Sequence, residues 1–188
     1  MSTNRFDTTI NKFDEYNAAD PNGKEVIYAQ RMSNRLSQFK PDAEEHVRLA
    51  IRCQHIGRWT IPRNTYPDGK KGYIAWRNKL KDFHAETAGA IMTECGYGAD
   101  MIGRVQDLLE KKDLRHNADT QLLEDVVCIV FVEFYLEEFA ARHDDDKVID
   151  ILAKTLKKMT PAAIGVAITF NLNDRVKELL TRAAGTAG

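Results

Sequence analysis

Between Cys53 and Pro67 the chain reads CQHIGRWTIPRNTYP, which places one His, two Arg, one Trp, one Tyr and two Pro in fifteen residues. Arginine offers a planar, permanently charged fork that suits phosphate or carboxylate, and aromatic rings can stack on a base. Arg58, Arg63 and the following Arg77, with Trp59, Tyr66 and Trp76, therefore form a candidate site for a small anionic ligand with a flat portion. His55 adds a group able to move a proton near neutral pH, and His84 is a second candidate further along. The structural alternatives are as simple. His55 would suit the C-terminal dipole of a helix, His84 would be a hydrogen-bonded core residue, and the loop aromatics would pin the loop to the body.

The elements that must position these residues read as helices. KEVIYAQRMSNRLSQF carries Val26, Ala29, Met32, Leu36 and Phe39 at helical spacing, and KPDAEEHVRLAIRCQHIG follows with acids early and Gly57 late. His46 lies two turns before Gln54 and reads as a surface residue. Two prolines and two glycine turns then mark an ordered loop at about 58–72. A helix over 73–95 puts Trp76, Leu80, Phe83, Thr87 and Ile91 along one face, with His84 beside the apolar seam. The segment from Asp119 to His143 is apolar nearly all round from Val126 to Leu136, the mark of a core helix. Glu124 and Asp125 open it, and Glu133 in its middle needs a partner if buried. Thr160 is placed to cap a short helix begun by Pro161.

No segment alternates as a strand, so the expected fold is all-α, one compact helical bundle over 1–188 with about seven to nine helices. With 43% hydrophobic and 29% charged residues, the chain has the composition of one globular domain. Its 27 basic and 28 acidic residues nearly cancel, which argues against a global field for nucleic acid or membranes and makes any anion site local. Three cysteines without CxxC spacing, and no apolar run near the ~20 residues of a membrane helix, point to a cytoplasmic protein.

YAQRMSNRL, CQHIGRWTIPR, YPDGKKGYIAWR, FHAETA and QLLEDVVCIVFVE together resemble domain-of-unknown-function family 4202 from about Lys24 to Leu180. Members have carried a glutamyl-tRNA synthetase label. HIGR at His55 is an echo of the synthetase HIGH motif without the Rossmann strand and turn that give that motif its meaning. The order of elements is also similar to HD-type phosphohydrolases, helical proteins in which histidines and aspartates bind metal and activate water on a phosphate ester. Laid onto this chain, Tyr28 occupies the position of the first His, Gln54 and His55 stand for the His-Asp pair, Lys111 or Lys112 replaces another His, and His84 and Asp125 match later ligands. The resemblance implies an HD-like fold and a single divalent metal held by His55, His84 and Asp125, with Gln54 and His55 at the catalytic position. The implied function is binding, and hydrolysis, of a small phosphorylated or nucleotide-like ligand. The alternatives are a non-catalytic module for a small ligand or RNA that has lost the metal site, and a purely structural partner-binding protein.

Overall fold

A computed structural model describes residues 4–114 and 116–186; the outermost residues of the expected domain, 1–3 and 187–188, lie outside the described residues. Among the described residues every regular element is helical: α1 Arg5–Ala18, α2 Lys24–Phe39, α3 Glu45–Cys53, α4 Gly69–Glu94, α5 Ala99–Glu110, α6 Ala118–Phe134, α7 Leu136–Ala141, α8 Asp145–Leu156, α9 Pro161–Ala167 and α10 Asp174–Thr186. None of these helices is long and apolar enough to cross a membrane. By internal contacts the chain divides into two compact units, Met1–Thr120 and Gln121–Gly188, and the boundary falls inside α6.

In the first unit α3 is the hub, packed against α1, α2 and α5, while α4 packs on α1 and α5. Its sequence explains the role: Val47, Leu49, Ala50, Ile51 and Cys53 are all buried, so a nine-residue helix shows apolar side chains on most of its circumference. His46, expected at the surface, is 2% exposed, with Nε2 2.8 Å from Asp119 Oδ2. Its neighbourhood of apolar α3 residues buries it, and a carboxylate from the first turn of α6 supplies the partner that burial requires.

α1 has a weak apolar pattern because Thr9 and Asn17 share its buried face with Phe13. Asn4 starts it, accepting a hydrogen bond from the Asp7 N–H. The turn into α2 is held by Asp20, whose carboxylate accepts from the backbone N–H groups of Asn22, Lys24 and Glu25. Burial alone would raise the pKa of this acid, but those N–H groups favour the charged form and hold it below the usual range.

In the second unit α8 packs on α10, and α7 touches both. Thr160 caps α9 and Pro161 opens it, as its sequence predicts. The apolar run expected as one helix through Leu136 is interrupted: α6 stops at Phe134, and Tyr135 leaves helical geometry at φ −126° before α7 begins. Leu123, Val126, Ile129 and Val130 have no exposure, whereas Phe134 is 40% exposed. Glu133 is only half-buried.

Candidate functional site

α3 ends at Cys53, and the chain turns back twice within five residues through Ile56 N–H to Cys53 O and Arg58 N–H to His55 O. Gly57 makes this possible at φ +66°, a conformation that other residues rarely adopt. A Cβ there would also lie 2.8 Å from ring carbons of Phe83 and Tyr16. Three side chains from three helices then fix the turn. Asn17 of α1 accepts from the Gly57 N–H at 3.1 Å, His84 Nδ1 of α4 lies 2.7 Å from Ile56 O, and the Tyr28 hydroxyl of α2 donates to Gln54 Oε1 at 2.8 Å.

His55 emerges from this clamp with its ring stacked on Tyr28 at 4.1 Å and 14°, and with the His84 ring 6.0 Å away. Its Nε2 lies 3.0 Å from Arg58 Nη1. Arginine can only donate, so Nε2 accepts and the proton of the neutral ring sits on Nδ1, which faces Glu25 Oε2 at 3.8 Å. The same reasoning puts the His84 proton on Nδ1, since Ile56 O can only accept. Both rings are held neutral. Burial is the main cause for His55, with Arg58, Arg77 and Lys111 adding positive charge around it, and its pKa falls well below the usual value. Burial likewise lowers His84 to about 4, against the opposing effect of its bond to Ile56 O. Glu25 moves the other way. Burial lifts its carboxyl to about 7, with Arg58 pulling it down and Asp20 pushing it up.

The arginines divide into two kinds. Arg63 donates to Tyr66 O at 2.9 Å and Pro67 O at 3.0 Å, so it staples its own loop. Arg58 lies over the Trp76 ring at 4.7 Å, and burial and Arg77 both lower its pKa. Among the described residues neither Arg58 nor Arg77 forms an ion pair within 4.0 Å, and Arg77 makes no side-chain hydrogen bond. Trp76 itself is 7% exposed and donates its indole N–H to Ile61 O at 2.8 Å, while Trp59 leans on Tyr16 at 5.9 Å. These two indoles anchor the loop, which carries two short 3-10 turns, Arg58–Thr60 and Arg63–Thr65, and ends before the expected residue 72 because α4 begins at Gly69. Gly72 closes it so tightly that a Cβ would meet Pro67 O at 1.9 Å. Tyr66 is half-buried, and its carbonyl serves Arg63. Tyr73, 50% exposed and 5.9 Å from Trp76, is the aromatic ring left open to solvent beside the arginines.

Asp125 belongs to the second unit, where its oxygens accept from Thr160 N–H at 2.9 Å and Thr160 Oγ1 at 2.6 Å, with Gln121 Nε2 at 3.1 Å. The three residues implied as metal ligands are each engaged with protein groups, His84 through Nδ1. Asp125 is engaged as a cap partner, His55 Nε2 accepts from a cation, and among the described residues no group of three or more His, Cys, Asp or Glu is placed to share an ion.

The chain matches the model of DUF4202, a domain of unknown function, over residues 7–180. It belongs to that family. No curated protein and no solved structure matches it. In this DUF4202 chain Tyr28, Gln54, His55 and His84, which the sequence names, are neighbours at the turn, together with Glu25 and Asn17, which it passes over. Glu25 was within reach: it precedes Tyr28 by three residues on a helix, which sets both on one face. Asn17 carried no local signal, because its partner is a backbone amide 40 residues away.

Proposed function

We propose that the first unit binds a small phosphate-bearing ligand at the His55 turn. One observation carries this reading: Arg58 and Arg77 stand close enough to repel, beside two neutral histidines, and among the described residues neither has a carboxylate within 4.0 Å, the charge of Glu25 acting on Arg58 from further off. A protein seldom tolerates a partly buried cation without a partner, and like charges held together at a cost are the mark of a site built for an opposite charge. His55 and Glu25 keep 18% and 13% of their side chains exposed, so solvent and a small solute reach them. Tyr73 offers a face on which a base could stack, which favours a nucleotide-like ligand over bare phosphate.

Titration calorimetry of the intact chain with inorganic phosphate and adenosine monophosphate tests this. Binding of both, tighter for the nucleotide, is expected, with Arg77→Gln weakening each by about tenfold or more. Absence of binding, or an affinity indifferent to Arg77, would overturn the reading.

Hydrolysis of that ligand is a second reading, and Glu25 is the observation in its favour. A carboxyl raised to about 7 is suited to giving and taking a proton at neutral pH, and its neighbour His55 Nδ1 links it to the arginines. Phosphate release from phosphomonoesters that Glu25→Gln abolishes, with binding retained, is the expected result.

A further inference from the structure

A half-open cavity of about 140 Å³ lies between α1, α2 and α3. Each helix lines it with residues one turn apart: Phe6 and Ile10 from α1, Ser33, Leu36 and Ser37 from α2, Arg48 and Arg52 from α3. Side chains three or four apart share a helix face, so three stripes converge on one space. Phe6, Ile10 and Leu36 give it an apolar floor, and the serines and the arginines give it a polar rim.

The two arginines differ in the same way as those of the His55 turn. Arg52 is satisfied: its Nε and Nη2 hold the two oxygens of Asp14, and its Nη1 donates to Ser33 Oγ at 3.3 Å. Arg48 lies over the Phe6 ring at 4.2 Å, and among the described residues its guanidinium has neither a hydrogen bond nor an ion pair. Ser33 Oγ receives the Arg52 proton and has no acceptor for its own among the described residues. With Asp14 neutralising Arg52, the rim carries one uncompensated positive charge and two kinds of idle donor.

We infer that this cavity is a binding site for a small monocarboxylate with an aromatic or branched apolar body. A space of this size takes one benzene-sized group. The Arg48 fork matches a carboxylate plane, and the ligand's single charge balances the rim. A phosphate dianion would leave one charge uncompensated and gain nothing from the floor.

The test is protein-observed NMR titration of the intact chain with benzoate, its neutral counterpart benzamide, and inorganic phosphate. Benzoate is expected to shift the Ser33 and Ser37 amides with a Kd of about 0.1–10 mM, as befits so small a ligand, and benzamide to bind about tenfold more weakly. Arg48 is exposed, so Arg48→Gln should fold as the parent does and should reduce benzoate to the level of benzamide. Ile10→Phe, which fills the space, should weaken both compounds, whereas Arg77→Gln should change neither. Failure of benzoate to bind, equal affinity for benzamide, or benzoate affinity unchanged by either cavity substitution would overturn the assignment. Phosphate moving these amides more than benzoate would do the same.

Discussion

Asp125 and the Arg58–Arg77 pair are both polar groups drawn into the body of the protein, and they meet opposite fates. Asp125 is 2% exposed, and its two oxygens accept three hydrogen bonds from Thr160 and Gln121. Thr160 Oγ1 in turn accepts from Ala163 N–H, so the network ends in the cap of α9. Arg58 and Arg77 are less deeply placed and each meets the other's like charge; Arg58 has His55 Nε2 and the Trp76 ring as partners, while among the described residues the Arg77 side chain has neither a hydrogen bond nor an ion pair. A buried polar group that serves the fold is satisfied by the fold, as buried groups nearly always are. One that is left waiting is the better guide to a ligand.

The comparison breaks most visibly at Asp125. Asp125→Ala strands Thr160 N–H and Oγ1 and removes the brace of α9, so a loss of about 3 kcal/mol is expected in denaturant unfolding. A loss under about 1 kcal/mol would mean that the network contributes little to the fold.

Glu25 gives the next largest effect, through pH. Its carboxyl titrates at 4.5 in an unfolded chain and at about 7 in the folded one, so the folded chain retains a proton between those values. That contribution to stability is complete below 4.5 and is lost as pH rises through 7. Glutamine mimics the protonated acid at every pH. Glu25→Gln should therefore gain on the parent between pH 5 and pH 8 by about 2 kcal/mol, read from urea midpoints. His84 works in the opposite sense, costing stability as pH falls from 6.5 toward 4, and is common to both chains. A gap between parent and variant that is flat with pH would show that Glu25 titrates as an ordinary acid.

Arg63→Ala sharpens the contrast at its smallest scale. Removing the staple to Tyr66 O and Pro67 O should cost about 1 kcal/mol and leave phosphate affinity unchanged, in contrast to Arg77→Gln. Loss of phosphate binding on changing Arg63 would place that side chain on the ligand instead of the loop.

Much of the fold was legible because α2, α4 and α9 carry periodic apolar residues or explicit caps. α1 escaped because Thr9 and Asn17 occupy its inner face, and periodicity counts apolar residues only. The break at Tyr135 escaped for the opposite reason: VVCIVFVEFYL is apolar on both sides of it, so nothing in the pattern marks a change of direction. Within the candidate site, residue types named the arginines but could not sort them. Arg63 differs from Arg58 and Arg77 only in the carbonyls that its loop brings within reach, which is a property of the folded backbone.

The hydrogen bond from Gly57 N–H to Asn17 also makes one amide a gauge of assembly. It spans 40 residues and is buried, so that proton exchanges with solvent only when α1 lifts away from the turn. The exchange rate of a single backbone position thus reports how often the first helix undocks, and hence how often the turn that carries His55 loses its Asn17 clamp together with the Phe6 and Ile10 side of the cavity.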